Sequence, residues 1–159
     1  MKTLILGIGN PGRGDDGLGA AIVARAAGLN VRDLVEGAVV FVSPERDAVW
    51  KYQLNIEDAD LIRGYDRVVF ADAAAEGGEP VVWAEVAASP SIAFTTHEMA
   101  PASVLALCEE LGGRAPRAFL LAVRGYEWEF SESLSPAGAL NLEKATALLA
   151  KRLEAADTD

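Results

Sequence analysis

The chain has 159 residues, 51% of them hydrophobic, which is enough for one domain (1–159) with a substantial core. Its 14 Lys and Arg against 24 Asp and Glu leave a formal charge of −10, arguing against nucleic acid as partner, because phosphate binders concentrate basic residues. No apolar run reaches the length of a membrane span, the amino end lacks the apolar stretch of a secretory signal, and a single cysteine, Cys108, excludes an intrachain disulfide; a cytoplasmic protein without membrane insertion is expected.

Thr3 to Ile8 reads as a buried strand running into a turn with six glycines, Gly7, Gly9, Gly12, Gly14, Gly17 and Gly19. Asp15 and Asp16 stand at the start of the following helix, where Leu18, Ile22, Ala26 and Leu29 recur at helical spacing and Gly28 is a stop signal. Ala38 to Val42 reads as a second strand. A polar, partly helical segment is expected from there to Arg63, holding Trp50, Tyr52 and Leu54. Arg67 to Ala71 reads as a strand ending at Asp72, and Pro80 to Val86 as an edge strand, since Pro80 lacks the N–H of a central one. A loop from Ala87 carries His97 into a helix opened by Pro101, with Val104, Cys108 and Leu111 on one face; there Cys108 reads as core rather than nucleophile. Ala118 to Val123 has the continuous apolar character of a central parallel strand. Ser135-Pro136 supplies an N-cap and first position for a last helix to about Glu154, and the Asp157-Thr158-Asp159 tail should fray. Alternating strands and helices predict an α/β fold with a largely parallel sheet covered on both faces.

In such sheets ligands bind beyond the carboxyl ends of the strands. Asp15 and Asp16 follow the first strand, Asp72 ends a later one, and His97 precedes a helix. One aspartate of the pair can cap the helix while the other faces the crevice, and Asp16 is assigned to the crevice. Two carboxylates and an imidazole form a donor set for a borderline divalent metal such as zinc or nickel, with a position left for water or substrate. Gly7-x-Gly9-x-x-Gly12 matches the dinucleotide fingerprint formally, but Pro11 lies inside it and the acidic pair follows at once, which repels a phosphate. No Gly-x-Ser-x-Gly elbow is present.

These residues resemble the hydrogenase maturation proteases, which trim the large subunit of nickel–iron hydrogenases. The resemblance rests on Gly7, Gly9, Asn10, Asp15, Asp16, Gly17 and Gly19, on Phe70-Ala71-Asp72-Ala73, on His97 before a helix, and on Leu134-Ser135-Pro136. It implies a three-layer α/β/α sandwich of the phosphorylase/hydrolase-like kind, with a twisted, mostly parallel sheet. It also implies an aspartic-type endopeptidase whose partner is the precursor of a nickel–iron hydrogenase large subunit. Asp16, Asp72 and His97 would contact nickel carried by that precursor, and Asp16 and Asp72 would be the catalytic carboxylates, with the choice of base left open. The sequence departs from the family at Ser43-Pro44-Glu45-Arg46-Asp47, where relatives have Asp-Gly-Gly after the second strand, and Trp50-Lys51-Tyr52-Gln53-Leu54 follows. Tyr52, Trp128 and Phe130 are candidates for a docking surface or for cover at the core's edge.

Two alternatives accompany this reading. The opening Gly-x-Gly-Asn-Pro-Gly is similar to that of peptidyl-tRNA hydrolase, but no histidine follows it here before His97 and the acidic chain suits tRNA poorly. A non-catalytic nickel- or precursor-binding chaperone would carry the same carboxylates.

Overall fold

A computed structural model describes residues 1–89 and 99–157. Strand β1 (Thr3–Ile8) is followed by a 3-10 turn (Gly14–Gly17) and helix α1 (Leu18–Ala27), then by a second 3-10 turn (Val31–Asp33). Next come β2 (Val40–Ser43), β3 (Arg46–Lys51), α2 (Glu57–Ile62), β4 (Arg67–Ala74) and β5 (Val81–Val86). Helix α3 (Pro101–Glu110), β6 (Arg117–Arg124) and α4 (Pro136–Asp157) complete the chain. The expected fraying of the tail concerns residues that largely lie outside the described ones.

The strands form one sheet in the order β2-β3-β1-β4-β6-β5. The pairs β3–β1, β1–β4 and β4–β6 are parallel, whereas β2 and β5 are antiparallel edges. The edge assignment of the strand after Pro80 therefore holds. Strand alternation splits the core in two. Ile5, Ala48, Trp50, Val69, Ala71, Leu121 and Val123 meet α1 and α4 on one face. On the other, Leu4, Leu6, Ile8, Val49, Val68 and Phe70 meet α2 and α3. Burial of each large aliphatic or aromatic side chain contributes about 1.5–3 kcal/mol, and these two layers produce the α/β/α sandwich.

One expectation is corrected. Residues after Val42 were assigned to a polar, partly helical segment, yet Arg46–Lys51 is a strand beside β1 and only Glu57–Ile62 is helical. Charges at both ends of Arg46-Asp47-Ala48-Val49-Trp50-Lys51 hid the strand. Their partners lie elsewhere in the chain: Asp47 is buried, accepts the Tyr65 hydroxyl at 2.7 Å and pairs with Lys2 at 3.3 Å. Ser43 to Asp47 accordingly spans the hairpin between β2 and β3, at the end of the sheet where β1 begins.

Helix α1 packs unusually close to β1 and β4. A Cβ at Gly19 would collide with the Ile8 backbone and sit 2.7 Å from the Ala71 carbonyl oxygen, and one at Gly7 would collide with the Gly19 carbonyl. Two facing glycines let the helix enter directly over the strands that carry the candidate site.

Candidate active site at the switch point of the sheet

The chain leaves β1 toward β3 by way of α1 on one face, and leaves β4 toward β6 by way of α3 on the other. Connections that depart in opposite directions on opposite faces leave a crevice between the two carboxyl ends. The strands flanking it are β1 and β4. Gly7 stands opposite Ala71, so the loop carrying Asp16 and the residue Asp72 emerge at the same rim.

Asp15 and Asp16 divide their work differently from the capping expectation. The N-cap position of their turn is Arg13, which makes no side-chain capping bond, and Asp15 lies inside the turn. It is fully buried and accepts the N–H groups of Tyr126 (2.7 Å), Glu127 (3.1 Å) and Ser135 (2.8 Å) together with the Ser135 hydroxyl (2.6 Å). Burial by itself would raise this carboxyl, but the Ser135 hydroxyl and the three backbone donors outweigh it and hold Asp15 below the usual carboxylate range. Ser135 Oγ in turn accepts the Gly138 N–H at 3.0 Å, as the N-cap reading of Ser135-Pro136 requires. A side chain at Gly138 would meet the Asp15 carboxylate. Asp15 thus ties the first loop to the start of α4, 120 residues away.

Asp16 is half-buried and accepts the Asn10 N–H at 2.8 Å through Oδ2. It borders an open cleft of about 440 Å³ with Asn10, Arg13, Tyr52, Gln53 and Trp128. Asp72 does not end its strand as expected: β4 runs on to Ala74, with Asp72 opposite Ala122 on β6, half-buried and with Oδ1 2.8 Å from the Ala73 N–H. By strand alternation it lies on the face of Val68 and Phe70, the face covered by α3. His97 lies outside the described residues. The described chain resumes at Met99, whose N–H donates to the Leu54 carbonyl at 3.2 Å just beyond β3. Among the described residues no three of His, Cys, Asp and Glu gather closely enough to hold a metal ion.

The sequence pattern left two parts of the rim unread. Trp50 is a β3 residue, nearly buried, whose indole N–H donates to the Gly9 carbonyl at 2.8 Å. Gly9 has a φ of +129°, open to glycine without strain, and its N–H donates to the Lys51 carbonyl at 3.0 Å. Tyr52 stands edge-on to Trp50 with ring centroids 4.9 Å apart and is half exposed toward the cleft. Lys51-Tyr52-Gln53, not Ser43 to Asp47, is therefore the stretch that follows a strand at the site. Phe130 is exposed and lies under the Arg13 guanidinium at 5.0 Å. Cys108 is fully buried and burial pushes its thiol up, which suits core packing and not nucleophilic attack.

A six-stranded, mostly parallel sheet with helices on both faces defines the class, a three-layer α/β/α sandwich. Within that class the chain is similar in structure to hydrogenase maturation enzymes. The hydrogenase maturating endopeptidase HybD from E. coli superposes with a TM-score of 0.77 over 98% of this chain and 94% of its own, at 18% identity. A [NiFe] hydrogenase maturation protease HycI from Thermococcus kodakarensis gives 0.66 over 96% and 92%, at 24% identity. A hydrogenase 2 maturation peptidase from a Thaumarchaeota archaeon gives 0.65 over 96% and 98%, at 20% identity. The chain has the fold of these enzymes over nearly its whole length. No protein-family profile matches it, and no curated protein sequence does.

Proposed function

We propose that this protein is a hydrogenase maturation endopeptidase, which removes a C-terminal extension from the large-subunit precursor of a nickel–iron hydrogenase after nickel insertion. The observation that carries this reading is the position of Asp16 and Asp72 at the carboxyl ends flanking the switch point, in a fold shared with such enzymes over nearly the full chain. Nickel belongs to the substrate. Asp16 and Asp72, with His97, serve as temporary ligands to it and so bring the adjoining peptide bond to the carboxylates. One of the two carboxylates then takes a proton from water as general base while the oxygen attacks the scissile carbonyl; the tetrahedral intermediate collapses with cleavage of the C–N bond, and the same carboxyl returns the proton to the leaving amine. The developing oxyanion is stabilised by the substrate's metal or by rim N–H groups. Asp15, held ionised and buried by four donors, keeps the loop bearing Asp16 in place.

Among the described residues no helix is long and apolar enough to cross a membrane; the cytoplasm is proposed because the resembling enzymes meet their precursor where hydrogenases are assembled. The test is to incubate the purified protein with nickel-loaded and nickel-free precursor and measure intact masses. Loss of a C-terminal segment from the loaded form alone is the expected result. Loss of either a general base or a ligand should slow this by about 10²-fold or more in Asp16→Asn, Asp72→Asn and His97→Ala, with circular dichroism unchanged. Normal rates in both aspartate variants would overturn the assignment, and a stable uncut complex with the intact protein would make it a binding factor.

A further inference from the structure

We propose that a trough running from Asp16 past Tyr52 to Arg32 is a subsite for an extended, uncharged stretch of peptide, the part of the precursor next to the bond that is cut. This assignment rests on the endopeptidase reading and adds the place where the chain lies. Beside the cleft at Asp16 is a second open cleft of about 610 Å³, within the size range of ligand sites. The two share Asn10 and Tyr52 as walls, so they lie side by side. An endopeptidase must hold chain beyond the scissile bond, and a cleft adjoining the one at Asp16 is where that chain can run.

The chemistry of the lining selects the occupant. Pro11, Val31, Leu34, Trp50 and Tyr52 give the second cleft its apolar surface, while Arg32 and Glu132 supply one charge of each sign. Trp50 is locked by its bond to the Gly9 carbonyl, and Tyr52 packs edge-on against it, so floor and wall are already ordered before anything binds. Pre-ordered aromatic surface receives apolar side chains at little entropic cost. A strongly acidic peptide is disfavoured by the −10 charge of the whole chain, and the single Arg32 does not offset it.

The test uses an acetylated, amide-capped tetrapeptide of Ala, Leu, Val and Ala, with a second in which Asp replaces the two central residues. Binding is read from the Trp50 indole N–H resonance and the Val31 and Leu34 methyl resonances. Saturable shifts confined to these groups are expected with the apolar peptide and not with the acidic one. Val31→Asp should raise its dissociation constant about tenfold, as should Tyr52→Gly, an effect of about 1.4 kcal/mol. Leu111→Glu, at the opposite end of the sheet, should not. Two variants guard against misfolding of either one. With nickel-loaded precursor, both should raise KM more than they lower kcat. Absence of saturable shifts, shifts elsewhere, or unchanged affinity in both folded variants would overturn the trough. Failure of the intact protein to cut any loaded precursor would instead overturn the endopeptidase reading, and the peptide shifts would still decide the trough.

Discussion

Asp15 is the side chain on which the rim depends most. Its four donors are backbone N–H groups and a hydroxyl; removing the carboxylate would leave the two Ser135 donors without a partner in a buried place and those of Tyr126 and Glu127 in a partly buried one. Unsatisfied buried polar groups cost about 1–3 kcal/mol each. Asp15→Ala should therefore lower stability by at least about 3 kcal/mol in urea titration, and a loss under about 1 kcal/mol would show that water replaces the carboxylate freely. The same bonds set a pH dependence. Because the folded carboxyl lies below its unfolded value, Asp15 contributes stability that is complete above that unfolded value and is lost as pH falls through the folded one. Acid unfolding curves of the intact protein and Asp15→Asn should converge at low pH and separate toward neutrality. Parallel curves would rule out this linkage. The sequence suggests Asp16 for the crevice and Asp15 for a cap, but two adjacent, chemically equal carboxylates give no sign there of Asp15's burial. Ser135, 120 residues on, is what separates them.

At the scale of elements, the entry of α1 over β1 decides where the Asp16 loop sits. The close approach needs Gly7 and Gly19 together, since a Cβ on either meets backbone that has no room to move. Overpacking of this kind costs about 1–3 kcal/mol and more where backbone must shift. We expect Gly19→Ala to destabilise by about 3 kcal/mol or more and to reduce processing in the fraction that still folds. Unchanged chemical denaturation would mean that the helix can lift off the strands without loss. The glycines were legible as a tight turn, and α3 and α4 were legible from Pro101 and Ser135-Pro136 as helix starts. Strand β3 was not, because its sequence is charged at both ends and its hydrophobic middle is short. Tertiary pairing overrides that local character: β1 flanks it on one side, and Tyr65 and Lys2 neutralise Asp47. With β3 in place, Trp50 and Tyr52 become parts of the rim.

For the whole molecule, a charge of −10 on 159 residues is a self-repulsion that compactness must overcome. Salt shortens its range from about 30 Å at 0.01 M to about 3 Å at 1 M. Thermal unfolding in sodium chloride should therefore move to higher temperature, by about 2–4 °C for each 1 kcal/mol of repulsion relieved. A midpoint that falls over the same range would indicate that the surface ion pairs matter more than net charge. By itself the sequence determined the class of fold, through alternating strand and helix patterns, and the residue types at the rim, through carboxylates placed after apolar strands. Both are local properties, carried by periodicity and by neighbours in the chain. Only the tertiary structure decided that β1 and β4 lie side by side with their connections leaving on opposite faces. It alone showed Asp15 to be buried and bonded to Tyr126, Glu127 and Ser135 rather than capping a helix. Those outcomes depend on contacts between residues far apart in sequence, where the order of strands and the burial of a charge are settled by packing.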